Sequence, residues 1–183
     1  MNWIYYLIIL VLLLILTVIF YYNKFAVLGN RIDNSLAQID VQLRKRADLV
    51  PNLLESVKGY MKHERGVIKE VTDARKALLK AGNLPDRVKA GNQLQSALKS
   101  IFALAENYPN LKANENFLQL QQELSSIEDK VAYSRQFYND SVLSYNDACR
   151  TFPGSMFASI FGKSVKEYLQ IPAEARAVPK IKF

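Results

Sequence analysis

No charged side chain occurs before Lys24, and between Ile4 and Phe20 every residue except Tyr5, Tyr6 and Thr17 is Leu, Ile, Val or Phe. Each of these apolar side chains favours insertion by about 0.3–0.6 kcal/mol at the centre of a spanning helix, with no charge opposing them. Trp3, Tyr5 and Tyr6 open the run, and Tyr21 and Tyr22 close it. At about 1.5 Å per residue, Trp3 to Tyr22 covers roughly 29 Å, which matches a hydrocarbon core of about 30 Å with an aromatic belt at each face. We therefore expect a transmembrane helix over residues 1–23, with Trp3, Tyr5, Tyr6, Tyr21, Tyr22 and Lys24 at the membrane interface. The rival readings are a buried core helix and a cleaved signal peptide. A signal peptide carries Lys or Arg before its apolar run and small residues at its cleavage site, and this run has neither.

Lys24 and Arg31 follow the span while its amino-terminal flank has no Lys or Arg, so the excess of positive charge places the carboxyl-terminal part in the cytoplasm and the amino terminus outside. A lone Cys149 agrees with a reducing compartment. The sequence Asn139-Asp140-Ser141 matches a glycosylation acceptor but would need the opposite topology and a eukaryotic host.

After the span, Leu28, Ile32, Leu36, Ile39 and Leu43 recur at helical spacing with Arg31, Asp33, Asp40 and Arg44 between them. Asp48 can cap a new first turn and Pro51 is unsuited to a helix interior, so a reversal is expected at residues 46–50. A second helix would then run from residue 49 to 81. At about 1.5 Å per residue it is longer than the first soluble helix (24–46), roughly 50 Å against 35 Å, so either the reversal lies later, near Gly59 to Gly66, or the bundle tilts; residues 46–50 remain the expected place. Leu84-Pro85-Asp86 opens a third helix that Asn107-Tyr108-Pro109-Asn110 stops. A fourth, from about Asn114 to Arg150, carries Phe117, Leu120, Leu124, Ile127, Val131, Tyr138 and Tyr145, and Thr151-Phe152-Pro153-Gly154 ends it. No stretch alternates with period two. The expected fold class is all-α: an N-terminal transmembrane helix continuing into an antiparallel up-and-down four-helix bundle. The corresponding domains are 1–23, a bundle over 24–151, and a C-terminal tail over 152–183.

Chemistry is sparse. One Cys and one His leave too few soft ligands for a metal or haem site, and no cofactor is expected. There is no HExxH, nucleophile elbow or P-loop, so the chain reads as no enzyme and takes no small-molecule substrate. The net charge of +7 is too small and too dispersed for a nucleic-acid footprint. Glu64, beside His63, falls on the apolar seam of the second helix, where a buried carboxylate needs a partner such as Tyr133, Arg135 or Tyr138. Glu64, Arg135 and Tyr138 thus form a candidate polar core or partner site, against the plainer reading of a partly exposed helix face. Arg44-Lys45-Arg46 is too far from the bilayer along a straight helix to anchor lipid and is expected to decorate the distal turn. In the tail, Met156, Phe157, Ile160 and Phe161 followed by Lys163 and Lys166 form a candidate lipid-contact segment. Packing against the base of the bundle is the alternative.

Several long strings carry a family likeness: Asn30-Arg31-Ile32-Asp33-Asn34, Gln38-Ile39-Asp40-Val41-Gln42-Leu43, Arg44-Lys45-Arg46-Ala47-Asp48-Leu49-Val50-Pro51-Asn52-Leu53 and Val57-Lys58-Gly59-Tyr60-Met61-Lys62-His63-Glu64. Ala105-Glu106-Asn107-Tyr108-Pro109-Asn110-Leu111 through Phe117-Leu118-Gln119-Leu120-Gln121, and Tyr138-Asn139-Asp140, continue it. In these strings the chain resembles the LemA family of bacterial membrane proteins over residues 22–183, with the tail fitting loosely. The resemblance implies a single-pass protein of the bacterial inner membrane with a short outer amino terminus, a cytoplasmic antiparallel helical bundle and no established catalytic residue. It also implies an envelope-associated role, with some relatives linked to membrane organisation in bacterial organelles. The functional expectation is a non-enzymatic scaffold or adaptor whose partners are the membrane, copies of itself and other membrane proteins, because tethering raises effective concentration. The alternative is a lipid-binding or membrane-shaping protein acting through the tail.

Overall fold

The computed structural model describes residues 2–61 and 63–169. Those residues form six helices and no strand: α1 (Asn2–Lys58), α2 (Arg65–Lys80), α3 (Leu84–Ala105), α4 (Pro109–Lys112), α5 (Glu115–Arg150) and α6 (Gly154–Ile160). The all-α expectation holds, as do the third and fourth expected helices, seen here as α3 and α5. Their starts follow the local chemistry. Asn83 Oδ1 accepts from the backbone N–H of Asp86 at 2.9 Å, with Pro85 in the first turn of α3. Asn114 Oδ1 likewise accepts from Phe117 N at 3.1 Å at the head of α5.

The first reversal is not at residues 46–50. Helix α1 continues through Pro51 to Lys58, and the chain turns between Gly59 and Glu64. Proline withholds one intrahelical hydrogen bond, leaving the carbonyl four residues back without its donor. That carbonyl belongs to Ala47, and Arg75 Nε of α2 donates to it at 2.7 Å. The helix therefore passes the proline because a neighbouring helix supplies the missing donor. Backbone bonds from Tyr60 N (3.0 Å) and Met61 N (2.9 Å) to the carbonyl of Val57 close α1 instead, and Met61 is fully buried beneath the turn.

Packing divides the chain into two compact units, Met1–Ser35 with Gln136–Phe183, and Leu36–Arg135. In the first, Phe25, Leu28 and Ile32 of α1 share the buried set with Tyr138, Val142, Tyr145 and Ala148 of α5 and Ala158 of α6. Phe25 and Tyr145 meet edge to face at 6.0 Å between centroids. Gly154 begins α6 against α5, where a Cβ would strike the carbonyl oxygen of Ala148. Side chains from Trp3 to Leu16 of α1 are all exposed.

The second unit buries Ile39, Leu43, Val50, Leu53 and Val57 of α1 with Val71 and Leu78 of α2, Leu94, Leu98 and Ile101 of α3, and Phe117, Leu124, Ile127 and Val131 of α5. The cross-helix pairs set the directions within it. Because α1 ends at Lys58 and α2 begins at Arg65, Ala47 opposite Arg75 makes these two antiparallel, and Asn92 opposite Arg135 with Gln95 opposite Glu128 makes α3 and α5 antiparallel. Asp40 with Arg87 and Arg46 with Gly91 make α1 and α3 run the same way. Inside this unit the short loops produce the up-and-down order expected of successive helices.

Candidate functional site

In the first unit, the aromatic end of the exposed apolar stretch meets α6. Tyr21 stacks on Phe157 at 4.8 Å between centroids and 12° between planes. Phe161 meets Tyr22 at 5.6 Å and Phe25 at 6.4 Å, both edge to face, and lies 6.1 Å from Phe157. Lys24 places its ammonium 5.6 Å from the Tyr21 ring centroid, a cation–π distance. Trp3, Tyr5, Tyr6, Tyr22 and Lys24 are exposed, and Tyr21 is half-buried. The four tail residues read as one apolar side therefore separate. Phe157 and Phe161 are half-buried against α1, whereas Met156 and Ile160 face away and are exposed.

Beyond α6, Gly162 adopts a positive φ of 62° and the chain folds back along α5. Two asparagines on α5 hold it. Asn146 Oδ1 accepts from Lys166 N and its Nδ2 donates to Lys166 O, both at 2.8 Å. Asn139 does the same for Leu169, at 2.9 Å and 3.2 Å, and the Tyr138 hydroxyl donates to Glu167 O at 3.1 Å. Residues 163–169 are thus a strap clasped by side-chain amides, a feature the sequence reading missed. Its signal is a pair of asparagines seven residues apart on the seam of α5, Asn146 being only 2% exposed. Residues 170–183 of the expected tail lie outside the described residues.

The second unit carries a polar layer built around one fully buried arginine, with Glu128 and Lys99 at its exposed edge. Arg46 is 1% exposed, which corrects its reading as surface decoration. Its Nη1 donates to Gly91 O at 3.3 Å, where α3 approaches closely: a Cβ on Gly91 would lie 2.8 Å from Leu43. Arg135 Nη2 donates to Asn92 Oδ1 at 2.8 Å. Glu128 accepts from Gln95 and pairs with Lys99 Nζ at 3.3 Å. Burial pulls Arg46 below the usual guanidinium value; the charge of Glu128 opposes this and that of Arg135 adds to it. Burial also lowers Arg135. Gln42 Oε1, Arg46 Nη2 and Arg135 Nε are buried with no partner among the described residues. Such a layer penalises slipped helix registers, because a shift would leave a guanidinium in apolar surroundings.

The expected grouping of Glu64, Arg135 and Tyr138 does not form. Glu64 lies in the connection before α2, not on a helical seam, and accepts from the Tyr108 hydroxyl at 3.2 Å. Burial and that carboxylate push the Tyr108 phenol above its ordinary value. Arg135 binds Asn92, while Tyr138 belongs to the first unit and binds the strap. Burial pushes the Cys149 thiol up and so disfavours the nucleophilic thiolate, although Tyr145 and Arg150 oppose the shift. An open groove between α1 and α2 is lined by Pro51, Leu54, Ile68 and Thr72 and rimmed by Lys58, Arg65, Lys69 and Lys76 with Glu55 and Asp73. Among the described residues no three His, Cys, Asp or Glu side chains are grouped to hold a metal ion.

The chain matches the LemA family over residues 35–183. It is 23% identical over 179 residues to the magnetosome protein MamQ of Magnetospirillum gryphiswaldense, covering 83% of this chain and 66% of that protein. It is 27% identical over 124 residues to the protein LemA of Metamycoplasma hominis, covering 67% and 57% respectively. The magnetosome protein MamQ 2 of Paramagnetospirillum magneticum is 22% identical over 175 residues, covering 81% and 64%. The chain thus spans less than two thirds of the length of each of these relatives.

Proposed function

Because this chain belongs to the LemA family and one of its helices is long and apolar enough to cross a membrane, we propose that it is a membrane-anchored, non-enzymatic scaffold that associates with copies of itself. The carrying observation is α1 itself. It begins as a stretch whose side chains from Trp3 to Leu16 are all exposed, with a mean hydropathy of 2.9 in its most apolar window, and later supplies core residues such as Ile39, Leu43 and Val50. An exposed apolar stretch of that length is stable only in lipid or against protein. The groups that elsewhere do chemistry have structural partners here: Glu64 with Tyr108, Arg135 with Asn92, Tyr138 with the strap. The relatives' names, magnetosome protein and LemA, name no reaction.

In this reading the span lies in the bacterial inner membrane with its amino terminus outside, and the second unit works in the cytoplasm. The groove between α1 and α2, apolar at its floor and mostly basic at its rim, is the face offered to a partner. Tethering in a plane favours self-association. Crosslinking in intact membranes over a range of expression levels is expected to yield dimers and larger species that grow with surface density. Monomer alone at every level would remove self-association from the proposal.

A further inference from the structure

Phe152, Met156 and Ile160 recur at steps of four residues and are 80%, 56% and 71% exposed. On the opposite side of α6, Gly154 and Ala158 are buried and Phe157 is stacked on Tyr21. This leaves a short helix pinned by one face to the last aromatic turn of the apolar stretch and presenting Met156 and Ile160 on its other face, with Phe152 exposed in the turn that precedes it. We propose that this stripe is a lipid-contact surface: α6 lies in the headgroup–acyl boundary of the bilayer that α1 crosses, with Phe152, Met156 and Ile160 in the outer acyl region.

The depth comes from the structure. Tyr21 and Tyr22 close the apolar run, Lys24 is the first charge after it, and the contacts of Phe157 and Phe161 on α1 fall between Tyr21 and Phe25. Five helical residues rise only about 6 Å, so α6 has little freedom to sit elsewhere relative to the end of the span. Lys163, just past α6, and Lys24, over the Tyr21 ring, are exposed near this end of the apolar stretch, and ammonium groups at that level meet lipid phosphates. The occupant is therefore lipid at the interface, and of the four residues that the amphipathic pattern of the tail assigns only Met156 and Ile160 are in contact, joined by Phe152, since Phe157 and Phe161 face protein. This surface rests on the membrane-anchored reading above, and its test separates the two.

The experiment uses the full chain in vesicles of phosphatidylcholine and phosphatidylglycerol brominated either near the glycerol or deep in the acyl chain. The single native tryptophan is removed by Trp3→Phe, and one tryptophan is returned at a time by Leu13→Trp, Met156→Trp, Ile160→Trp or Leu118→Trp. The expected result is loss of fluorescence at Met156→Trp and Ile160→Trp, greater with shallow than with deep bromine. Leu13→Trp should be quenched most by deep bromine and Leu118→Trp by neither. Quenching at Leu13→Trp with none at Met156→Trp and Ile160→Trp would overturn the lipid surface while leaving the span intact. No quenching at Leu13→Trp would overturn the span and the surface with it.

Discussion

Pro51 has no N–H to offer the carbonyl of Ala47, and Arg75 donates to that oxygen from α2 at 2.7 Å. Ala47 is fully buried, so removing the guanidinium leaves a desolvated carbonyl unsatisfied. Arg75→Leu is expected to lower the unfolding free energy by about 1–3 kcal/mol. Pro51→Ala returns the backbone donor, and on that background the same Arg75 substitution should cost clearly less. A double-mutant cycle by denaturant unfolding measures the difference, and equal costs on the two backgrounds would rule out the compensation. The residue explains why a correct local rule gave a wrong boundary. Proline is unfavourable in a helix because of a missing donor, and the donor that replaces it lies 28 residues along the chain from the carbonyl it serves. Glu64 has the same lesson: its partner Tyr108 is 44 residues distant and on no helical repeat with it.

At the scale of elements, the strap and α5 are joined by a coincidence of lengths. Asn139 and Asn146 are seven residues apart, about 10.5 Å along a helix at roughly 1.5 Å per residue. Their partners Leu169 and Lys166 are three residues apart, about 10 Å in extended chain at roughly 3.3 Å per residue. Each amide can therefore pair with both the N–H and the C=O of its residue, as a neighbouring strand would, although no strand is present among the described residues. Asn146→Leu, which keeps the branched shape of the side chain but removes both bonds, should release the strap. The backbone amides of Lys166 and Leu169 are expected to lose protection in hydrogen exchange while those of Leu94 and Leu98 in α3 keep theirs. Unchanged protection at Lys166 would show that the aromatic packing of α6, and not the asparagine clasp, holds the segment.

For the molecule as a whole, the decisive quantity is which side of the membrane the second unit occupies. In the proposed reading it lies in the cytoplasm, beside the Lys24 and Arg31 that follow the span. With Cys149→Ser removing the native thiol, single cysteines from Asn2→Cys and Asn110→Cys report the two sides to a membrane-impermeant maleimide applied to cells. Labelling at residue 2 and none at residue 110 is expected, and the reverse pattern would place the second unit outside. The amino-acid sequence by itself determined the apolar span, the all-α class, the limits of α3 and α5 and membership of the LemA family. These depend on local terms: side-chain transfer energies, apolar spacing, caps and long matching strings. Tertiary structure alone decided where α1 ends, that Arg46 is buried, which partner Glu64 takes, how the strap is clasped, and which face of α6 meets α1. Each of those outcomes depends on a group distant in sequence, one that satisfies a donor, an acceptor or a charge or, for α6, stacks on an aromatic ring, and no helical period encodes that distance.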